Sequence, residues 1–118
     1  MKKILVIEDD EGVLEAFKVM LEFEGYDVEV LVKNGQDIKD RIKTSKPDLL
    51  ILDMLLSGSD GRDITKDLRQ DKKTKDIPII MVSAHPDTED SALKAGASDF
   101  LAKPFDMQEL FKKIEKYT

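Results

Sequence analysis

Glu8, Asp9 and Asp10 follow one short apolar run, Asp53 closes a second, Ser83 a third, and Lys103 stands just past a fourth. Carboxylates at close range repel one another and raise one another's pKa unless a cation lies between them, and one lysine ammonium relieves only part of that charge. A divalent metal supplies the rest. All-oxygen ligation without His or Cys favours a hard ion, and a site with few protein ligands and room for water and phosphate oxygen favours Mg²⁺ over Ca²⁺, with Mn²⁺ able to substitute. A hydroxyl (Ser83) and an ammonium (Lys103) beside such a metal bind phosphoryl oxygens, and a carboxylate (Asp53) is a competent nucleophile toward phosphorus. These residue types point to phosphorylation of an aspartate.

The chemistry requires that the ends of several strands share one rim. Runs dominated by Ile, Leu and Val at 3–8, 48–53 and 77–83, a more alternating run at 27–32 and a brief one at 99–102 predict five strands. Segments of helical length lie at 11–24, 35–45, 61–70, 87–96 and 106–117. The first helix carries Val13, Leu14, Phe17, Met20 and Leu21 on one face; the last carries Met107, Leu110, Phe111 and Ile114 behind the capping-box pattern Asp106-x-x-Glu109. The segment 87–96 offers only Ala92, Leu93 and Ala95 to a core, which makes it the weakest-docked and most mobile helix expected here. Strict β-α alternation implies an α/β fold: a doubly wound, (βα)5 parallel five-stranded sheet of flavodoxin-like type with helices on both faces. Near-continuous apolar character puts the first, third and fourth strands inside, while Asp27 and Glu29 in the second and the shortness of the fifth make those two the edges. The strand order expected is 2-1-3-4-5, with ligands bound beyond the carboxyl ends of the strands where the order reverses.

With 118 residues, 41% apolar and 37% charged, the chain is expected to form one domain over 1–118 with a core that needs no cross-link. The absence of cysteine excludes a disulfide scaffold, thiolate metal ligation and a thiol nucleophile, and suits a reducing cytoplasm. A formal charge of −6 disfavours direct nucleic-acid binding. No apolar run approaches the roughly 18 residues of a membrane span, and the apolar stretch after Lys3 ends at Glu8, too soon for a signal-peptide core.

The segments Ile4-Leu5-Val6-Ile7-Glu8-Asp9-Asp10, Leu50-Ile51-Leu52-Asp53-Met54, Asp60-Gly61, Met81-Val82-Ser83-Ala84 and Gly96-Ala97-Ser98-Asp99-Phe100-Leu101-Ala102-Lys103-Pro104-Phe105 together resemble the receiver domain of bacterial two-component response regulators, over essentially the whole chain. A chemotaxis regulator of that family has the strand order given above, so order and resemblance are one argument, not two. The resemblance implies Glu8 and Asp9 as the acidic pair, Asp53 as phosphoacceptor, and Mg²⁺ held by Glu8, Asp9, Asp53 and the backbone carbonyl of Leu55. It implies Ser83 as the phosphoryl-binding hydroxyl, Lys103 as the site lysine in a cis Lys103-Pro104 pair, and Phe100 as a rotameric aromatic that turns inward when Ser83 moves. Leu55 and His85 would flank the phosphoryl group and set its lifetime, which an apolar Leu55 makes long. The implied donor is a sensor histidine kinase or a histidine phosphotransfer protein. The output is a changed face of fourth helix, fifth strand and fifth helix, read by an unidentified protein, in a monomer or a phosphorylation-dependent dimer. The chain would not be an enzyme beyond its own phosphoryl transfer and slow autodephosphorylation. One departure is the segment Met54-Leu55-Leu56-Ser57-Gly58-Ser59-Asp60-Gly61, which lacks the proline common after the phosphoacceptor, so a looser loop is expected.

Plainer roles stand beside these. Asp10 is read as a helix cap, where an acid favours the positive end of the dipole. His85, ahead of Pro86, is read as an exposed rim residue, and Phe100, without the resemblance, as half-buried packing. Lys72, Lys73 and Lys75 are read as a solvated loop. An aspartate-nucleophile phosphatase would use similar groups, but it needs an Asp-x-Asp motif after the first strand and a substrate cap, and this sequence has neither. A receiver-like interaction module independent of phosphorylation is disfavoured by the full set of site residues. Without an output domain, the chain is read either as a stand-alone receiver or as part of a larger regulator.

Overall fold

A computed structural model describes residues 1–32, 35–56 and 58–118. In chain order the elements are β1 (Lys3–Ile7), α1 (Glu11–Phe23), β2 (Asp27–Leu31), α2 (Gly35–Ser45), β3 (Leu49–Asp53), β4 (Leu55–Leu56), β5 (Ser59–Asp60), α3 (Gly61–Gln70), β6 (Ile79–Ser83), α4 (Glu89–Ala95), β7 (Asp99–Ala102) and α5 (Met107–Tyr117). A 3-10 turn at Pro86–Thr88 precedes α4.

Five parallel strands form one sheet in the order β2-β1-β3-β6-β7, the expected 2-1-3-4-5 when the parallel strands alone are counted. All of β3 and β6 is buried, as strands covered on both faces should be, whereas edge strand β2 leaves Asp27 exposed and Glu29 and Val30 half-buried. Side chains alternate across the sheet and build two cores. Leu5, Leu50, Leu52 and Met81 face Ile38 and Ile42 of α2, Leu68 of α3 and Ala92 of α4. Ile4, Val6, Ile51 and Val82 face Leu14, Phe17 and Leu21 of α1 and Leu110 and Ile114 of α5. In the expected faces of these two helices, Val13, Met20, Met107 and Phe111 are only partly buried.

Several expectations need correction. Leu93 is 41% exposed, so α4 buries only Ala92 and Ala95. The helix expected at 87–96 starts as the 3-10 turn and becomes α-helical only at Glu89, ending at Gly96 with φ 115°. A side chain at Gly96 would be strained by that φ, and its Cβ would meet Arg69 Cγ at 2.7 Å. The segment after Asp53, read as a loop, contains a short antiparallel pair, Leu55 opposite Asp60 and Leu56 opposite Ser59. Ser57 of that segment lies outside the described residues. Phe100, expected to be half-buried on the plain reading and to turn inward only on phosphorylation by the resemblance, is 6% exposed and packed in the same core as Met81 and Ala92. Among the described residues no helix is long and apolar enough to cross a membrane.

Candidate functional site

Glu8 is the first residue past β1, and its backbone N–H still bonds to the Leu31 carbonyl at 3.3 Å, which keeps it tied to the sheet. Its side chain is drawn in, leaving the residue 5% exposed. Asp53 ends β3 and is 9% exposed. The chain then folds tightly over this strand end: Gly61 N–H donates to the Met54 carbonyl at 2.6 Å. A Cβ at residue 61 would sit 2.8 Å from the Asp53 carbonyl oxygen and 2.9 Å from Met54 Cα, which is why the Asp60-Gly61 pair carries glycine. Asp60 caps α3 by accepting Arg62 N–H at 2.8 Å.

One carboxylate oxygen from each of Glu8, Asp9 and Asp53 lies within 4.8 Å of the other two. Lys103 follows β7, whose ladder is extended by Lys103 N–H donating to the Ser83 carbonyl at 2.7 Å. Its ammonium reaches both Glu8 Oε2 and Asp53 Oδ1 at 3.4 Å. The Lys103-Pro104 bond is cis, as expected. Burial, reinforced by the Glu8 charge and only partly opposed by Lys103, pushes the Asp53 carboxyl up to about 6. Two nearly buried carboxylates, Glu8 and Asp53, share the Lys103 ammonium, an oxygen of the exposed Asp9 lies beside them, and all the donors are hard oxygens. This donor set fits a hard divalent cation.

Asp10, despite its place beside this group, serves α1 as expected: its Oδ1 accepts Gly12 N–H at 2.8 Å and Val13 N–H at 3.2 Å. Ser83 ends β6 and is 2% exposed, with its Oγ accepting His85 N–H at 2.9 Å. His85 itself is exposed and Leu55 is 50% exposed, so both have a rim-like placement. Two residues escaped the sequence reading. Arg62 holds Asp60 in a forked pair, Nη2 to Oδ2 at 2.6 Å and Nε to Oδ1 at 2.9 Å, and reaches Ser91 Oγ of α4 at 3.0 Å. Thr88 Oγ1 lies 3.2 Å from Ser83 Oγ. A threonine just before the acidic pair Glu89-Asp90 is a helix-start signal that could have drawn attention to it. From the edge of the site an apolar groove of ≈ 810 Å³ runs between α1 and the start of α5, lined by Val13, Ala16 and Met20 on one side and Pro104, Phe105 and Met107 on the other.

Known proteins match this chain over nearly its whole length. The model of the response regulator receiver domain matches residues 4–115. The chain is 36% identical over 118 residues to the DNA-binding dual master transcriptional regulator RpaA of Synechocystis, covering 97% of this chain and 48% of that protein. It is 36% identical over 116 residues to the alkaline phosphatase synthesis transcriptional regulatory protein PhoP of Bacillus subtilis, covering 97% and 47%. The chain thus spans about half the length of these curated relatives. Among solved structures, a response regulator of Chloroflexus aurantiacus superposes with TM-score 0.91 at 35% identity, covering 98% of this chain and 96% of that one. TrrA of Thermotoga maritima, solved in complex with Mg²⁺-BeF, superposes with TM-score 0.89 at 30% identity over 100% of both chains.

Proposed function

This chain belongs to the family of response regulator receiver domains, and we propose that, as a single receiver unit over 1–118, it takes a phosphoryl group onto Asp53 from the phosphohistidine of a sensor kinase or phosphotransfer protein. An Asp53 carboxylate oxygen attacks phosphorus, the P–N bond breaks with its electron pair returning to the imidazole, and an acyl phosphate forms. Lys103, at 3.4 Å from Asp53 Oδ1, supplies positive charge to the oxygens gathering there. Ser83 would donate its hydroxyl proton to a phosphoryl oxygen. Glu8, Asp9, Asp53 and the Leu55 carbonyl would hold Mg²⁺ or Mn²⁺. When bound, the ion offsets charge on the carboxylates and on the incoming phosphoryl oxygens. The apolar groove beside Lys103 offers the donor protein a surface continuous with the site. Output would be a change of the face built from α4, β7 and α5. Phe100 is already inward, so it would hold that arrangement rather than move into it.

The observation that carries this reading is the convergence of two nearly buried carboxylates, Glu8 and Asp53, on one ammonium, with Asp9 completing a trio within 4.8 Å. A small phosphodonor such as acetyl phosphate, added with Mg²⁺, is expected to add one phosphate per chain by intact mass, and Asp53→Asn is expected to abolish it. Equal labelling of that variant would defeat the assignment.

A further inference from the structure

Thr88 stands at the N-cap of α4, where a threonine hydroxyl ordinarily accepts a backbone N–H from the first turn of its helix. It makes no such bond. Its Oγ1 instead donates to the His85 carbonyl at 2.5 Å and lies 3.2 Å from Ser83 Oγ. Each hydroxyl has one proton. With the Thr88 proton committed to His85, the proton in the Ser83–Thr88 contact is that of Ser83, and Thr88 is its acceptor. The competing acceptor, the His85 carbonyl, is farther at 3.4 Å. Ser83 Oγ receives the His85 N–H on its other side.

We propose that Thr88 is a positioning residue that holds the Ser83 hydroxyl proton in the unphosphorylated protein, so that a phosphoryl group on Asp53 must draw this proton away from Thr88. The proposal rests on the reading of Asp53 and Ser83 given above and extends it to a residue beyond the site. It also gives the exchange a route outward. The Thr88 carbonyl accepts Ser91 Oγ at 3.0 Å, Ser91 Oγ accepts Arg62 Nη1 at 3.0 Å, and Arg62 grips Asp60, the last residue before α3. Release of Thr88 from Ser83 therefore acts on the first turn of α4 and on the chain that follows the phosphoacceptor. α4 is suited to respond, because its only buried side chains are those of Ala92 and Ala95.

The test is the affinity for beryllofluoride, a phosphoryl mimic, measured with Mg²⁺ by amide chemical shifts on wild type, Thr88→Val and Thr88→Ser. Thr88→Val keeps the shape and removes no capping bond from α4; it gives up the hydroxyl bond to the His85 carbonyl, which still accepts Thr88 N–H at 3.1 Å. Freeing the Ser83 proton removes one hydrogen bond of ordinary strength from the unliganded state, so Thr88→Val is expected to bind about fivefold tighter. Thr88→Ser, which retains the acceptor, is expected to match wild type, and Mg²⁺ affinity measured alone to stay the same in all three. A purely structural role would not tighten binding. Thr88→Ala provides the same reading should the valine variant fold poorly. Wild-type binding with the valine and alanine variants unchanged or weaker overturns the role of Thr88, as does a serine variant that tightens equally. Wild type that binds no beryllofluoride overturns the Asp53 reading and the proposal with it.

Discussion

The two sides of the site rim are held very differently. Glu8 and Asp53 extend from β1 and β3, where Ile4, Leu5, Leu50 and Leu52 are 0% exposed and each strand has neighbours on both edges. Ser83 also ends a buried strand, but the chain beyond it surfaces at once: residues 84–87 are exposed, the next turn is 3-10, and the seven-residue α4 has Ala92 and Ala95 as its buried residues. Burial of large apolar side chains fixes one side, and polar contacts through Thr88, Ser91 and Arg62 fasten the other. Stability is not uniform across a fold, and segments that move come from its weakly packed parts. In the proposed function, the nucleophile and its charge partners gain from being held still, whereas the signal is read where the structure can yield.

The largest expected effect is at the carboxylates. Asp9→Ala should lower Mg²⁺-dependent phosphorylation by acetyl phosphate by about two orders of magnitude or more, since loss of even a supporting group around a metal costs roughly 10–100-fold. Normal labelling of this variant would remove Asp9 from the ion's ligands.

Next comes the contrast in packing. Leu50→Ala, at a 0% exposed position, should cost roughly 3 kcal/mol in urea unfolding, while Leu93→Ala, at a 41% exposed one, should stay within about 0.5 kcal/mol. Similar losses at the two positions would erase the difference between the two sides.

A smaller effect concerns pH. Asp53 ionises less readily in the folded protein, moving from 3.8 to about 6, so its contribution to stability is fully present below pH 3.8 and is lost as pH rises through about 6 without metal. Asp71, held well below the usual carboxylate range by its hydrogen bond to Lys43, acts in the opposite sense, its contribution being lost as pH falls. Comparing wild type with Asp53→Asn isolates the first effect. The variant should be the more stable by on the order of 2 kcal/mol at pH 7 without Mg²⁺, with the gap closing toward pH 4. A gap that widens on acidification would reverse the assignment.

Smallest is the lifetime of the acyl phosphate. An exposed Leu55 cannot orient an attacking water, so decay in wild type should be slow and Leu55→Asn should hasten it by about tenfold. His85→Glu should change it less. A fast wild-type decay slowed by the change at His85 would transfer control to that residue.

The sheet, its order and the gathering of Glu8, Asp53, Ser83 and Lys103 were legible because each of these polar residues directly follows or ends an apolar run, so strand direction alone brings them to one edge. Asp10 was legible as a cap because its partners are its own neighbours, Gly12 and Val13. The rest depends on contacts distant in sequence. Strands of two residues, such as β4 and β5, have no periodicity to detect. Leu93 and Phe100 show how type and spacing leave the depth of a side chain open: the short α4 turns the leucine out, and the core around Met81 and Ala92 takes the phenylalanine in. The diversion of the Thr88 hydroxyl from its own helix to Ser83 follows from the path of the 3-10 turn, which the sequence does not encode as a pattern.

Relaxation-dispersion NMR on the backbone amides, with and without Mg²⁺ and beryllofluoride, tests the division between the two sides most directly. Microsecond-to-millisecond exchange is expected at 83–95 in the free protein and should be quenched or shifted by the mimic, while the amides of β1 and β3 below their last residues stay quiet in both states. Exchange spread evenly over β1 and β3, or an 83–95 segment unchanged by a mimic that demonstrably binds, would contradict the account.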